Sequence, residues 1–245
     1  MLPISQVYSA LAFAESSRMF EALEKVYAQV PDGDCRRCGR CCIDPPPAAL
    51  AEYLNIYRYI RDHLGDRHQE LIRKAVEFFY LELAEPGVGC PFLGEDKNCL
   101  IHPVRPLSCR VYNVLHPDDY EKQNRTRDLE KVAEKYQREH GITLPRKIVE
   151  FRLPYCPNAE PGGRKMRTPE VHALLFGILM LDTRILPSQV VFQDQTMLPP
   201  PTHLAVTILN EGLRARRPDV IREYLATGES PLLEKYMERA ARFQF

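Results

Sequence analysis

The chain has no tryptophan and no net charge, its 33 Lys and Arg residues balancing 33 Asp and Glu in a length of 245. With no excess of either sign, nothing in the overall balance draws the molecule to nucleic acid or to an anionic membrane. Arg36, Arg37 and Arg40 make only a local basic patch. Long apolar runs are missing too. The longest, Val171–Leu181, is broken by His172 and Gly177 and falls far short of the roughly 20 residues a membrane-spanning helix needs. There is no Walker-type phosphate loop, no G-x-G-x-x-G and no G-x-S-x-G, so a nucleotide enzyme or a serine hydrolase of the usual kinds has no support. The opening Met1-Leu2-Pro3-Ile4-Ser5-Gln6 lacks a basic n-region, and Glu15, Arg18, Glu21 and Glu24 follow soon after. It does not read as an export signal, and the expectation is a protein of the reducing cytoplasm.

Cysteine, by contrast, is concentrated. Four of the eight cysteines, Cys35, Cys38, Cys41 and Cys42, form a C-x2-C-x2-C-C run, and Cys90, Cys99, Cys109 and Cys156 follow singly among Pro, Gly and Arg. Disulfide scaffolds are typically short secreted chains, and cysteines used as small buried hydrophobes would be scattered rather than set at two-residue gaps beside a turn-forming Gly39. The pattern points instead to thiolate ligation of zinc or of an iron-sulfur cluster, and away from magnesium or calcium, which take oxygen ligands. All eight cysteines are candidate ligands. A zinc ribbon would need a second C-x2-C pair, which the chain lacks. Ferredoxin-type loops use C-x2-C-x2-C with a remote Cys-Pro, which Cys35, Cys38 and Cys41 with Cys90 or Cys156 satisfy, so iron is preferred to zinc. Adjacent Cys41 and Cys42 cannot easily aim at one ion, so one of them serves a second metal or stays free, and eight thiolates suffice for two four-coordinate sites.

The remaining pattern is helical. Apolar residues at helical spacing predict a helix over Ser5–Val30 and a hairpin of two helices, one starting near Leu50 and stopping at Gly65, the next opened by an Asp66/Gln69 capping pair and running to about Ala84. A charged helix is predicted from about Asp118 to His140, closed by Gly141. Lys147–Leu153 alternates enough to predict a short strand delivering Cys156. Thr168 and Pro169 open a helix with Val171, Leu174, Leu175, Ile178 and Leu179 on one face, and further helices are predicted over Pro201–Leu213, Asp219–Ala226 and Ser230–Arg242. The segment Glu85–Pro117 is dense in Gly, Pro and Cys and reads as loops. The expected fold is mainly α: helices surround a loop-rich cysteine and metal-binding centre, with an additional C-terminal helical layer. The expected organisation is an N-terminal helix in residues 1–33, a cysteine-cluster domain in 34–165 and a C-terminal helical region in 166–245.

The ordered motifs Cys35-x2-Cys38-Gly39-x-Cys41-Cys42, Cys90-Pro91-Phe92-Leu93, Cys99-Leu100-Ile101-His102 and Arg105-Pro106-Leu107-Ser108-Cys109-Arg110, with a last cysteine at Cys156, resemble the YkgJ-type cysteine-cluster family. The resemblance covers about Cys35–Gly163 and implies a domain to which zinc or iron chelation is attributed. It departs after Cys156, where Asn158-Ala159-Glu160-Pro161 precedes Gly162-Gly163, so Cys156 carries over least firmly. A related cluster occurs in flagellin lysine N-methylases, which leaves protein modification open as a task.

Other residues have two readings each. His102 stands three residues after Cys99, a ligand-compatible gap, although a lone histidine more often supports a ligand than serves as one. Arg105 and Arg110 flank Cys109, as donors offsetting thiolate charge or as ordinary surface ion pairs. Three functions compete: a metal-binding module with a structural or redox role, a metal-dependent protein-modifying or redox enzyme, and an interaction protein that uses its C-terminal helices against a partner and holds a structural zinc. A pocket with convergent polar groups would favour the second, and an exposed apolar patch along Val171–Leu181 the third.

Overall fold

The computed structural model describes residues 4–33, 35–85, 88–122, 126–153, 155–156, 163–185 and 197–245, and the architecture among them is mainly α with no strand. The predicted first helix is two, α1 (Ile4–Ser16) and α2 (Met19–Tyr27), divided where Arg18 takes a left-handed φ of 54°. The hairpin forms as α3 (Leu50–His63) and α4 (His68–Leu81). Its expected Asp66/Gln69 cap does not, because a single 3-10 turn, Gly65–Arg67, leads directly into α4 and Glu70 pairs with Arg67. The short helix α5 (Leu107–Val111) is followed by α6 (Pro117–Lys122) and α7 (Thr126–His140), with Gly141 at φ 65° closing α7 as the sequence predicts.

Lys147–Leu153 is not a strand. Arg146–Val149 forms the one-turn helix α8, entered from Pro145 at φ −60°. Val149, Phe151 and Leu153 alternate, but the adjacent apolar Ile148 breaks the period, and among the described residues no strand offers Lys147–Leu153 a partner; Ile148 is buried from the helical turn instead. The C-terminal layer comprises α9 (Thr168–Ile185), α10 (Pro200–Ile208), α11 (Glu211–Arg214), α12 (Arg217–Thr227) and α13 (Pro231–Ala240), the last capped by the Ser230 hydroxyl, which accepts from the Leu233 N–H at 3.2 Å.

Two apolar cores position the cysteine loops. The larger joins α1, α3, α4, α10 and α13 and takes in Phe92, Ile101 and Val104 from the cysteine segment. The second joins α2 and α9 to Leu107 and Val111 of α5. The loops therefore hang between two packed layers.

The start of α3 is capped from a distance. Asp182 of α9, 7 % exposed, accepts from the backbone N–H groups of Leu50 (3.0 Å) and Ala51 (2.8 Å), which would otherwise be orphaned at the helix start. Burial pushes the Asp182 carboxyl up to about 7 against the two hydrogen bonds, which favour its charged form. Between the unfolded value near 4 and that folded value the native state holds a proton the unfolded chain has lost. Folding then takes up a proton, and stability falls as pH rises across this window, by at most about 1.4 kcal/mol per pH unit. Urea titrations at pH 4.5, 5.5, 6.5 and 7.5 should show this fall, and Asp182→Asn should flatten it; an identical slope in the variant would show that Asp182 titrates normally.

Candidate metal centre

The cysteine knot turns on two left-handed residues, Arg37 at φ 50° and Gly39 at φ 75°, and enters a 3-10 turn over Arg40–Ile43 in which the Cys42 N–H donates to the Gly39 carbonyl at 3.0 Å. Gly39 has a second constraint, since a Cβ there would stand 3.3 Å from a Leu93 methyl. The Cys90 N–H donates to the Cys42 carbonyl at 2.6 Å, and Arg37 donates to the Asn98 side chain at 2.9 Å, so knot and following loop are pinned at two points. That loop is a small hairpin: Leu93 and Cys99 form an antiparallel bridge, and the Leu100 N–H donates to the Phe92 carbonyl at 2.8 Å. Phe92, 1 % exposed, anchors it in the core between the two sulfurs it carries. Cys109 arrives on α5. The Ser108 hydroxyl donates to the Pro47 carbonyl at 2.7 Å, tying that helix to the triple-proline segment after the knot.

Cys35, Cys41, Cys42, Cys90, Cys99 and Cys109 thereby come to line one cavity of about 800 Å3. All eight thiols are free of disulfides. Cys38 is exposed and Cys156 buried, and neither is on the cavity wall; Cys156 lies by Tyr155 and Tyr112, whose hydroxyls its charge would raise. Pro157 and Gly162, which follow Cys156 in sequence, lie outside the described residues. Among the described residues no three His, Cys, Asp or Glu side chains already stand in the tight arrangement of a bound ion, so the six thiols share a space rather than a point.

Burial and mutual repulsion keep protons on most of these thiols. Burial pushes Cys90 up to about 12, with Cys99 and Cys41 adding to it, and raises Cys109 well above the ordinary thiol range, with Cys90, Cys41, Cys99 and Glu52 adding in turn. Cys99 is also raised by burial. The hydrogen bond between the adjacent pair splits them, drawing Cys41 down to about 7 and pushing Cys42 up. Sulfurs held protonated by burial and by one another, as Cys42, Cys90, Cys99 and Cys109 are, make a donor set a cation relieves, because a metal replaces the protons and offsets the repulsion of the thiolates. The residues present fit a soft or borderline metal.

Three polar neighbours take definite roles. A guanidinium can only donate, so the 2.8 Å contact between Arg105 Nη1 and His102 Nε2 makes that ring nitrogen an acceptor. Burial and the Arg105 charge lower the His102 pKa, in keeping with a neutral ring. His102 thus supports Arg105, and its Nε2 is committed there. Arg110 braces backbone instead: Nε donates to the Arg105 carbonyl at 2.8 Å, Nη2 to the Pro103 carbonyl at 2.9 Å, and the guanidinium lies 4.1 Å over the Tyr27 ring. Arg105 itself lines the cavity.

Sequence patterns alone do not mark Glu52. It is 1 % exposed on α3 and collects three donors, the Tyr27 hydroxyl (2.9 Å), the Ala49 N–H (2.9 Å) and the Leu107 N–H (2.6 Å). An acidic residue in the first turn of a helix is commonplace, so nothing local distinguishes it. Also unmarked is the apolar part of the cavity's lining, to which Leu129, Phe151, Leu153, Val171, Leu175 and Met197 contribute from segments without a cavity thiol.

Residues 34–133 match the model of the CxxCxxCC family, described as "Putative zinc- or iron-chelating domain". This is the family that the ordered cysteine motifs resemble, and its span takes in seven of the eight cysteines, all but Cys156. No curated protein and no solved structure gives a match.

Proposed function

We propose that the chain is a thiolate metal protein in which Cys35, Cys41, Cys42, Cys90, Cys99 and Cys109 supply the ligands, with iron in a sulfide-bridged cluster ahead of zinc and a structural or redox role. The match of residues 34–133 to a zinc- or iron-chelating family supports metal binding through cysteines. One observation carries the reading: six thiols line a single cavity, more than the four that either a structural zinc site or an iron-sulfur cluster takes, so thiolate binding of a metal is amply provided for. The preference for iron rests on the Cys90-Pro91 step and on the Cys-x2-Cys-x2-Cys run, of which Cys35 and Cys41 reach the cavity wall and Cys38 does not. When bound, such a cluster would supply one-electron chemistry; the chain's own part is to hold the sulfurs, exclude water with the Phe92 and Pro45–Pro47 walls, and offset charge.

Anaerobic purification followed by iron, zinc and acid-labile sulfide analysis with a visible spectrum tests this. Iron and sulfide together with brown absorption are expected. Stoichiometric zinc without sulfide would overturn the iron reading and leave chelation standing, and a metal-free protein would overturn both.

A second reading, a metal-dependent enzyme, has the cavity's apolar lining residues in its favour. They give a metal nothing and suit an apolar group presented to them, and a shift of the holo-protein spectrum on adding an apolar ligand would support it. A protein partner for the C-terminal helices is proposed on Phe176 and Met180, one turn apart on α9 and 65 % and 50 % exposed.

A further inference from the structure

Arg105 carries the least satisfied polar group in the cavity wall. Its Nε is buried and has no hydrogen-bond partner, a costly state for a charged donor unless something accepts from it. The rest of the side chain is fixed. Nη1 donates to His102 Nε2 at 2.8 Å, and the residue's own carbonyl is gripped by Arg110 Nε at 2.8 Å, while Arg110 is itself held against the Tyr27 ring. The guanidinium is therefore aimed and braced, not free to reach solvent for a partner. It shares the cavity wall with the six thiols, and its charge acts on Cys41 and Cys99 among them.

Arg110 and Arg37, which also stand beside the cysteine loops, do not share this position. Arg110 is committed to two carbonyls, and Arg37 donates to Asn98. We propose that Arg105 is the positioning residue of the metal centre, its Nε–H held ready to donate to a sulfur of that centre, either a cysteine thiolate or a bridging sulfide, with His102 as the brace that sets its angle. The inference rests on the thiolate-centre reading. It assigns the charge compensation to Arg105 alone of the two arginines flanking Cys109, and it gives His102 a supporting place rather than a ligand's.

Withdrawing a donor from sulfur makes the sulfur more electron-rich. The thiolate-to-metal charge-transfer absorption, visible for iron and ultraviolet for zinc, then moves to lower energy, and the midpoint potential of an iron centre falls. Losing a supporting hydrogen bond of this kind typically weakens metal binding about 10–100-fold. The test is made on the full-length protein as purified, with wild type, Arg105→Gln, Arg105→Lys and His102→Phe compared by metal content, chelator competition and absorption. Arg105→Gln is expected to bind at least about tenfold more weakly with a red-shifted band. Arg105→Lys, which keeps the charge and loses the directed Nε–H, should fall between, and His102→Phe should reproduce part of the shift with Arg105 intact. Should Arg105→Gln fail to fold, the last two variants carry the same comparison.

A wild-type protein that holds no metal would overturn this inference together with the function it rests on. A metal-loaded wild type whose variants keep its band position and chelator resistance would overturn the inference alone. A loss of thermal stability with an unmoved band would show Arg105 to be a structural residue only, and would overturn it as well.

Discussion

Cys109→Ser is expected to strip most of the metal and to loosen the segment from the cysteine knot through α5, whereas Cys38→Ser is expected to do neither. Cys109 lines the cavity from a helix tied down by the Leu107 N–H to Glu52 and by the Ser108 hydroxyl to Pro47, so its sulfur has no freedom to be replaced by another. Cys38 is exposed and off the wall. A structural thiolate site can contribute on the order of 10 kcal/mol to folding, which is as large as the net stability of a whole domain. The loss should be felt most in that segment, because the core joining α1, α3, α4, α10 and α13 is built largely from those helices and reaches the cysteine segment through Phe92, Ile101 and Val104. Metal analysis and limited proteolysis of the two variants side by side decide it: equal metal content and equal cleavage would remove Cys109 from the ligand set.

The contrast between these two cysteines marks where reading the sequence stops. Spacing treats Cys38 and Cys41 alike, each with two residues between it and the preceding thiol. What separates them is backbone direction, set by Arg37 and Gly39 at positive φ and by the Leu93 side chain packed against Gly39. Periodicity, in contrast, carried the helices well, because the burial of Leu54, Tyr57, Ile60, Leu71, Ala75 and Val76 is a local consequence of where they fall on α3 and α4. The mainly α fold and its C-terminal layer were legible for that reason. Local pattern failed at Arg18, where one residue divides a helix without a Gly or Pro to announce it, and at Lys147–Leu153, where it suggested a strand with nothing to pair with. The N-terminus of α3 was out of reach on other grounds. Its donors are met by Asp182, 132 residues away from Leu50, and a contact at that separation exists only once α9 has docked.

Glu52 is the clearest case of such a residue, and its removal has the second largest expected effect. Its carboxylate joins α2 through the Tyr27 hydroxyl, the start of α3 through the Ala49 N–H, and the start of α5 through the Leu107 N–H, two residues before Cys109. Glu52→Ala would leave three buried donors without an acceptor at about 1–3 kcal/mol each, offset in part by no longer burying a carboxyl that burial itself resists ionising. A net loss of about 3–6 kcal/mol is expected. Glu52→Gln should recover much of it, since an amide oxygen in the place of Oε1 keeps both the Tyr27 and the Leu107 donors and only the Ala49 N–H is left facing the NH2, whereas Glu52→Ala loses all three. Because Leu107 loses its tether in Glu52→Ala, α5 should swing and the metal should become easier to extract, so urea denaturation and chelator competition ought to change together. A Glu52→Ala protein within 1 kcal/mol of wild type, or one destabilised with metal retention unchanged, would show that α5 and its cysteine are held by apolar packing of Leu107 and Val111 and not by the buried carboxylate.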